Sequence, residues 1–360
     1  MPHSFNEASV WHTASNSVTP PYATHDDCFH ETLCLGGNVQ QRVYSVDLFN
    51  EGVHFDSQHM EAKHIAWRCL AASLSDIASC GATPTLILST LGLPPWVTPA
   101  WITAYHQGLR ALLDTLGLGN LVVGGDTTAS PHLTLSHTVM GVAPVGTGRA
   151  LPHRQAGQGG SVVAVAGQHG LANVGLACLK QPHLATVYPQ AWRAFHTPLP
   201  LLKAGQAVAR LRHTHPAGGS QALAMMDTSD GLADACLRLA QQSRVHITLY
   251  ADRLCPHPEL RHAEAEGLIP SAEQALLYGG EDFGLVALIP YAVWQQHQTS
   301  LIAEGWQAVG ETEHPPPDVH ATHPVPTPSP SAGWWQAGQW QAFHTEKTFQ
   351  HFKNQETPQP

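Results

Sequence analysis

Three apolar runs in this chain end directly in an aspartate, and this pattern restricts the fold more than any other. An apolar run that stops at a carboxylate is typical of a buried strand whose last residue faces a cleft. A single aspartate in such a position is usually a turn former or a helix cap. The runs are residues 43–46, 121–125 and 223–226, which lead into Asp47, Asp126 and Asp227.

Further acidic residues make this set larger than turns require, namely Asp26-Asp27, Asp76 and Glu281-Asp282. If these carboxylates converge, they repel one another unless a cation lies among them. Hard oxygen ligands of this kind suit Mg²⁺, which usually also coordinates substrate phosphates. The sequence therefore predicts Mg²⁺-dependent nucleotide chemistry.

Strand-like and helix-like patterns alternate along the chain, which indicates an α/β or α+β fold. Strand patterns over 41–48 and 85–93 flank a helical pattern over 61–80, and a second helix over 101–116 ends at Gly117. At 360 residues the chain exceeds the size at which one core usually keeps growing. We therefore expect two domains.

A glycine-rich stretch separates the two expected domains, residues 1–150 and residues 151–345. Residues 1–40 are polar without clear periodicity, so we expect them to be irregular. Residues 311–333 are rich in Pro, His, Thr and Ser, which predicts a flexible loop, and residues 346–360 are expected to be a disordered tail. The aromatic residues between these two segments indicate that the C-terminal end docks back on the body.

Composition excludes several classes of partner. A formal charge of −10 argues against a nonspecific nucleic-acid binder, which needs a basic face. The seven cysteines are odd in number and include no C-x-x-C pair, which fits reduced cytosolic thiols. No signal peptide is visible, and the most apolar stretch, 86–97, is too short to span a bilayer. We expect a cytoplasmic protein with neither a nucleic-acid nor a membrane partner.

The sharpest single motif is Asp-Thr-Ser-Asp-Gly-Leu at 227–232. Asp227 ends the strand pattern, and Asp230 is placed to cap a helix that begins near Gly231. A helix N-terminus favours phosphate, and two carboxylates there can hold Mg²⁺ against phosphate oxygens. An ordinary capped strand–helix junction would show the same residues.

Two other acidic motifs permit both a functional and a structural interpretation. Gly-Gly-Asp-Thr-Thr at 124–128 could be a phosphate-contacting turn, and Gly-Gly-Glu-Asp-Phe at 279–283 is similar. Either segment could also be a plain tight turn, and neither is a Walker A loop. Asp76 lies on a helix face of small residues that a ligand could approach closely, although a solvent-exposed helical aspartate would look the same.

Three isolated side chains are further candidates for ligand contacts. Arg154 could pair with phosphate, His54 could donate to an anion, and Trp340 could stack on a ring. The alternatives are a surface salt bridge, a structural histidine and a packing tryptophan.

In their order and spacing these motifs resemble those of the thiamine-monophosphate kinases, in the superfamily of aminoimidazole ribonucleotide synthetase. The resemblance runs from about Asp26 to Gly310, and Gly-Gly-Asp-Thr-Thr, Asp-x-Ser-Asp-Gly-Leu and Gly-Gly-Glu-Asp are intact. The matching segments are 26–28, 45–55, 73–76 with 81–82, 124–128, 149–154, 227–232 and 279–282.

The resemblance implies direct, in-line transfer of the γ-phosphate of ATP to thiamine monophosphate, giving thiamine diphosphate, with several Mg²⁺ ions and no covalent nucleophile. The implied metal ligands are Asp27, Ser45, Val46 through its carbonyl, Asp47, Asp76, Asp126, Asp227 and Asp230. The implied nucleotide contacts are Tyr105, Gly125, Asp126, Arg154 and Ser229, and the implied substrate contacts are His54, Glu281 and Trp340.

The family fold implies an N-terminal α/β domain that dimerises through its sheet, with the active site in the cleft to a C-terminal α/β domain. His25, Val46 and Ala129 depart from the family motifs. Two alternatives stay open. One is another ATP-dependent synthetase of the superfamily, and the other is a noncatalytic homologue that only binds nucleotide.

Overall fold

The computed structural model contains two β-sheets with helices packed against them, which confirms the expected mixed α/β class. It describes residues 26–35, 38–143, 151–211, 223–314, 330–344 and 347. The domain division at residue 150 stays a prediction, because residues 144–150 lie outside the described residues.

The first sheet has five strands in the order β1-β2-β5-β3-β4. β3 and β4 are parallel, whereas the other neighbours are antiparallel. Helices α1 and α2 pack against one face, where they form a common core with the sheet. These elements are β1 (Phe29–Leu35), β2 (Asn38–Asn50), α1 (Ala62–Ser79), β3 (Thr83–Leu93), α2 (Pro99–Leu116), β4 (Val122–Ala129) and β5 (Thr134–Val142).

Side chains alternate between the two faces of this sheet, as the strand period of two requires. Val43, Leu135 and Val139 are 0% exposed on the face beneath the helices. On the opposite, outer face, Val46 and Leu48 are 67% and 58% exposed. The outer face of the single chain therefore presents apolar side chains to solvent.

The second sheet has seven strands in the order β12-β11-β8-β10-β6-β9-β7, with β11 and β8 parallel and the other neighbours antiparallel. Every residue of β6 and β9 is buried, as their uninterrupted apolar sequences predict. Its strands are β6 (Ser161–Ala166), β7 (Ala224–Asp227), β8 (His246–Tyr250), β9 (Leu285–Pro290), β10 (Trp306–Glu313), β11 (Ala332–Gln336) and β12 (Gln339–Ala342). The helices of this half are α3 (Leu171–Ala177), α4 (Pro189–His196), α5 (Leu202–Ala209), α6 (Leu232–Ser243), α7 (Pro258–Ala265), α8 (Ala272–Tyr278) and α9 (Tyr291–Ala303).

Helix α1 lies between the two halves and is buried on nearly all sides. It packs against α2 and the first sheet, and also against β7, α4 and α5 of the second half. Glycines permit this closeness: a Cβ at Gly108 would lie 2.1 Å from the Lys63 carbonyl oxygen, and one at Gly205 would lie 1.9 Å from that of Ala78. Any side chain at Gly108 or Gly205 would therefore push a neighbouring helix away from α1.

Helix α2 shows the end signals that its sequence predicts. The Thr98 hydroxyl accepts from the Trp101 N–H at 3.2 Å, and Pro99 occupies the first turn. Gly117 ends the helix in the left-handed region, with φ of +68°. The prediction of a helix closed by Gly117 is confirmed.

The prediction that residues 1–40 are irregular is wrong for residues 29–35. These residues form β1, which pairs with β2 from Phe29 opposite Tyr44 to Leu35 opposite Asn38. The strand depends on this ladder, which a search for apolar periodicity does not detect. Residues 1–25 lie outside the described residues.

The predicted loop over 311–333 is wrong at both ends, because residues 311–313 complete β10 and residues 332–333 begin β11. Its middle part, 315–329, lies outside the described residues, as does the predicted tail apart from Lys347. The predicted docking of the C-terminal aromatic segment is confirmed, because β11 pairs with β8 and buries Trp334.

No helix within the described ranges is long and apolar enough to cross a membrane.

Candidate active site

Three of the predicted carboxylates converge between the two halves of the fold. Asp27, Asp76 and Asp227 each place an oxygen within 4.8 Å of the other two. Asp27 precedes β1, Asp76 lies in the last turn of α1, and Asp227 is the last residue of β7. The cluster therefore depends on α1 being held between the first sheet and β7.

The cluster's hydrogen bonds come from hydroxyl groups on both sides. Ser45 Oγ donates to Asp76 Oδ2 across from β2. Ser75 Oγ donates to Asp227 Oδ2 at 2.5 Å, and Ser229 Oγ donates to Asp227 Oδ1 at 3.1 Å. These donors fix the carboxylates of Asp76 and Asp227 in place.

Arg154 supplies the cluster with a positive charge. One of its terminal nitrogens forms an ion pair with Asp27 Oδ1, and the Asp27 side chain is only 2% exposed. Burial alone would lower the pKa of Arg154, but Asp27 and the neighbouring carboxylates raise it. Asp27 Oδ2 and Arg154 Nε are buried without a hydrogen-bond partner among the described residues. One acceptor and one donor are therefore available for a ligand.

Three carboxyl groups at this site have raised pKa values. Burial, and then the neighbouring carboxylates with Asp47 first among them, raises the pKa of Asp76 well above its ordinary value. Burial and the charge of Asp27 raise the pKa of Asp227 to about 7 and that of Asp26 to about 6. Crowded carboxylates of this kind bind protons when a cation is lacking. The donor set is all oxygen and suits a hard divalent cation such as Mg²⁺.

Strand β2 places its predicted site residues on opposite faces. Ser45 and Asp47 share the covered face of the sheet, where the charge of Asp47 acts on Asp76. The Val46 side chain lies on the outer face and is 67% exposed. Only a backbone group of Val46 could therefore serve a metal.

The prediction that Asp230 caps the following helix is wrong. Gly231, with φ of +102°, occupies the cap position of α6 without a side-chain cap bond. Asp230 Oδ2 instead lies 3.5 Å from a terminal nitrogen of Arg238, which also pairs with Asp234. Asp230 is near the end of β7 but is not one of the three converging carboxylates.

The 124–128 motif is not a turn, because these residues lie within β4, and its contact with phosphate stays a prediction. Asp126 is opposite Thr90, which is exposed, and the next residue of β3, Leu91, is buried. Paired residues share a face, so Asp126 lies on the outer face of the sheet. Gly125 precedes Asp126 in β4, and Asp126 is not one of the three converging carboxylates.

Tyr105 lies in the buried first core, and Trp340 lies on an edge strand of the second sheet. Tyr105 is 0% exposed and stacks on Trp101, and its hydroxyl lies 3.2 Å from Nε2 of His137 in the first core. Trp340 is on the edge strand β12, at the opposite end of the sheet from β7. Six strand spacings separate them, which amounts to roughly 29 Å. The nucleotide contact of Tyr105 and the substrate contact of Trp340 find no support in these positions.

The other two predicted substrate residues lie at opposite ends of one buried arginine. Nε of Arg68 is 3.4 Å from the His54 carbonyl oxygen, and its Nη2 is 2.6 Å from Glu281 Oε2. The Glu281 N–H donates to the Ser229 carbonyl at 2.7 Å. His54 and Glu281 are therefore connected to each other, and Glu281 is connected to the motif that contains Asp227.

The His54 ring has a defined orientation. Its Nδ1 accepts from the Asn50 N–H at 3.0 Å, and its ring meets Phe49 edge to face at 5.6 Å. The neutral ring therefore carries its proton on Nε2, which can act as a donor.

Asp282 has a structural role that its sequence motif does not reveal. Its carboxylate accepts from the Gly170 N–H at 2.5 Å and the Ala172 N–H at 2.8 Å, at the start of α3. Burial raises the pKa of Asp282 to about 7, against the opposing effect of these two bonds. Asp282 anchors the 279–283 segment and so supports Glu281 beside it.

Two residues of this site, Ser75 and Arg68, were not singled out in the sequence. Ser75 precedes Asp76 and bonds Asp227, so it joins the two halves. Arg68 is the one charged residue in the stretch 66–75, which is otherwise small or apolar. A single charge among ten otherwise small or apolar helical residues is the signal that could have identified Arg68.

Comparisons with known proteins find relatives of this chain. Residues 26–143 match the family described as AIR synthase related protein, N-terminal domain. The thiamine-monophosphate kinase of Synechococcus elongatus is 37% identical over 279 residues, which cover 77% of this chain and 80% of that protein. The thiamine-monophosphate kinase of Methanospirillum hungatei is 32% identical over 268 residues, which cover 73% of this chain and 79% of that protein.

A solved structure of AaThiL complexed with AMPPCP and TMP has a similar fold. Its TM-score is 0.73 at 22% identity, and the match covers 86% of this chain and 91% of that one. At this identity the likeness supports the fold alone.

Proposed function

Because this chain belongs to the thiamine-monophosphate kinase family, we propose that it transfers the γ-phosphate of ATP to thiamine monophosphate, giving thiamine diphosphate. The observation that carries this proposal is the convergence of Asp27, Asp76 and Asp227 between the two halves of the fold. Two phosphate-bearing substrates repel each other, so an enzyme that joins them must position them and neutralise their charge. A cluster of oxygen ligands next to a buried arginine is suited to that task.

The cation that we propose for this cluster is Mg²⁺, in several copies. The fit rests on the unpartnered Asp27 Oδ2 and on the raised pKa values of Asp76 and Asp227. Bound Mg²⁺ would neutralise phosphate oxygens and orient them. Four further groups would complete the ligand set, namely Ser45, the Val46 carbonyl, Asp47 and Asp230.

The nucleotide phosphates, in this proposal, lie against Arg154 and Ser229. Arg154 has a free buried Nε, and Ser229 begins the turn after β7. A guanidinium can bind two phosphate oxygens at once, which fixes the γ-phosphate in direction as well as in place. Transfer to the acceptor phosphate is then direct and in line.

Thiamine monophosphate, in the same proposal, lies on the side of His54 and Glu281. The thiazolium ring is cationic, so the Glu281 carboxylate attracts it. His54 would contact an anionic oxygen of the substrate through Nε2–H, because Nδ1 accepts from the Asn50 N–H. These two groups hold opposite charges of one substrate.

We also propose that the enzyme is a homodimer through the outer face of its first sheet. Phe29, Val46, Leu48 and Leu88 are 42%, 67%, 58% and 38% exposed on this face. A contiguous apolar face of this kind is typical of a protein interface. Asp126 lies on the same face, so its metal role would be exercised at the interface.

The location in the cytoplasm and the lack of a nucleic-acid partner are also part of the proposal. They rest on the formal charge of −10 and on the odd number of cysteines.

Magnesium is expected to stabilise the protein at pH 8 much more than at pH 5. The pKa of Asp227 is raised from 3.8 to about 7, so its contribution to the stability of the metal-free fold is present below 3.8 and lost as the pH rises through 7. This loss corresponds to about 4 kcal/mol, which a bound cation would recover. The measurement is thermal unfolding with Mg²⁺ or with EDTA at both pH values.

Sodium chloride at matched ionic strength is the control for that experiment, because it screens charge without occupying the cluster. A Mg²⁺-induced change in Tm of equal size at pH 5 and pH 8 would contradict the assignment.

The proposed reaction is tested by incubating the protein with ATP, Mg²⁺ and thiamine monophosphate and separating the products by chromatography. Thiamine diphosphate and ADP are expected in equal amounts. A parallel sample with EDTA is expected to form neither. ATP binding without any thiamine diphosphate would refute the kinase and favour a noncatalytic nucleotide-binding protein.

A further inference from the structure

Arg68 is buried in the middle of α1, where it contacts three separate segments. Its side chain is 3% exposed. Nη1 donates to the Phe195 carbonyl at 2.7 Å, and the guanidinium stacks over the Phe195 ring at 4.0 Å. Nε reaches the His54 carbonyl at 3.4 Å. The guanidinium thus joins the loop after β2 to the end of α4.

The third nitrogen of Arg68 contacts Glu281. Nη2 lies 2.6 Å from Glu281 Oε2, yet its N–H bonds do not align with any acceptor among the described residues. The contact is therefore an ion pair held by charge rather than by an aligned hydrogen bond. The Glu281 carboxylate remains 21% exposed, so it can still face a ligand.

The backbone around Glu281 needs such an anchor. Glu281 and Phe283 have φ values of +70° and +51°, in the left-handed region that non-glycine residues rarely adopt. Residues in this region persist where the surrounding contacts hold them there. The Glu281 N–H bond to Ser229 and the carboxylate of Asp282 fix the main chain. Arg68 is the cation that fixes the Glu281 side chain.

We propose that Arg68 is a positioning residue for thiamine monophosphate, because one guanidinium sets the Glu281 carboxylate and the His54 loop relative to each other. This inference rests on the proposed function, in which His54 and Glu281 contact that substrate. Arg68 acts through these two residues and does not touch the nucleotide. Its loss should therefore affect one substrate and spare the other.

Replacement of Arg68 by methionine is expected to raise the KM for thiamine monophosphate by about 10²-fold, because misplaced binding groups cost about that factor. The KM for ATP should change by less than about threefold, which corresponds to less than about 0.7 kcal/mol in binding free energy. Methionine retains much of the side-chain volume, so packing against Phe195 is largely kept. The measurement is steady-state kinetics with each substrate varied in turn.

Three comparison variants make the result specific. Arg68→Lys keeps a cation beside Glu281 and is expected to recover most of the lost affinity for thiamine monophosphate. Trp67 lies next to Arg68 on α1, and its Nε1 donates to the Pro198 carbonyl at 2.7 Å. Trp67→Phe removes that bond and is expected to leave both KM values unchanged. In the Glu281→Gln background, Arg68→Met should add little to the effect already present.

The possible outcomes separate this inference from the proposed function. Equal increases in both KM values, additive effects of Arg68→Met and Glu281→Gln, or an Arg68→Lys variant as weak as Arg68→Met would each overturn the role of Arg68. An unchanged KM in Glu281→Gln would overturn the substrate position at Glu281, and Arg68 would lose its role with it. The reaction itself is judged separately, by the formation of thiamine diphosphate in the unmodified enzyme.

Discussion

Replacement of Asp76 by asparagine is expected to lower kcat by about 10³-fold, because phosphoryl transfer depends on charge stabilisation at the reacting phosphates. Burial first, and then the charges of Asp47, Asp227 and Asp27, raise the pKa of Asp76 well above its ordinary value. Asparagine has nearly the same shape but no negative charge, so it is a poor ligand for Mg²⁺. Steady-state kinetics at saturating substrates give the measurement.

The metal-free Asp76→Asn protein is expected to be at least as stable as the unmodified protein at pH 8. The raised pKa of Asp76 means that its ionised form is unfavourable in the metal-free fold, and the substitution removes that charge. Asp114→Asn, in which an exposed partner of Arg110 is changed, is the matched control and should retain full activity. An Asp76→Asn enzyme with more than a tenth of the normal kcat would remove Asp76 from the site.

The double substitution of Val46 and Leu48 by aspartate is expected to convert the proposed dimer into monomers. Both side chains are more than half exposed on the outer face, so the single chain should tolerate the change. In the dimer, burial of unpaired carboxylates would weaken association by at least about 10³-fold. Sedimentation velocity over a range of protein concentrations gives the measurement.

Leu176→Asp with Ile302→Asp is the matched control for this experiment, since these side chains are 46% and 59% exposed on helices of the second half. It adds the same charge and should leave the oligomeric state unchanged. A protein that is monomeric before any substitution, or a Val46 and Leu48 variant that still dimerises, would contradict the proposed interface.

Much of the fold could be predicted from local signals. Helix α2 has a capping threonine and a terminal glycine, and α1 has apolar residues at helical spacing. The strands β6 and β9 are continuous apolar runs. Signals of this kind act within a few residues, so one sequence is enough to read them.

Elements that depend on distant partners could not be predicted in this way. Strand β1 exists through its ladder with β2, and β11 exists through its pairing with β8, 85 residues earlier. The sequence also contains several C-terminal aromatic residues, and only the strand order shows that Trp340 lies on the far edge from β7. Pairing of strands that are far apart in sequence is not encoded in either strand alone.

The candidate site shows the same division. The order of the motifs is enough to predict Asp27, Asp76 and Asp227 as metal ligands of one site, and the structure brings these three together. Whether Asp230 caps the following helix could not be predicted, because this depends on the backbone angle of Gly231 and on the ion pair of Asp230 with Arg238. The position of Asp126 depends on which face of β4 is covered, and that is set by the register with β3.

The place of α1 between the two halves has a consequence for folding during synthesis. All five strands of the first sheet are complete at residue 142, whereas β6 obtains both of its neighbours only when residues 285–313 have been made. Until then, β7, α4 and α5, which cover one side of α1, have no completed second sheet to hold them against it. A growing chain therefore exposes an apolar helical surface for more than a hundred residues of translation, at about 5–20 residues per second. Nascent chains halted between residues 150 and 220 should consequently bind general chaperones through α1.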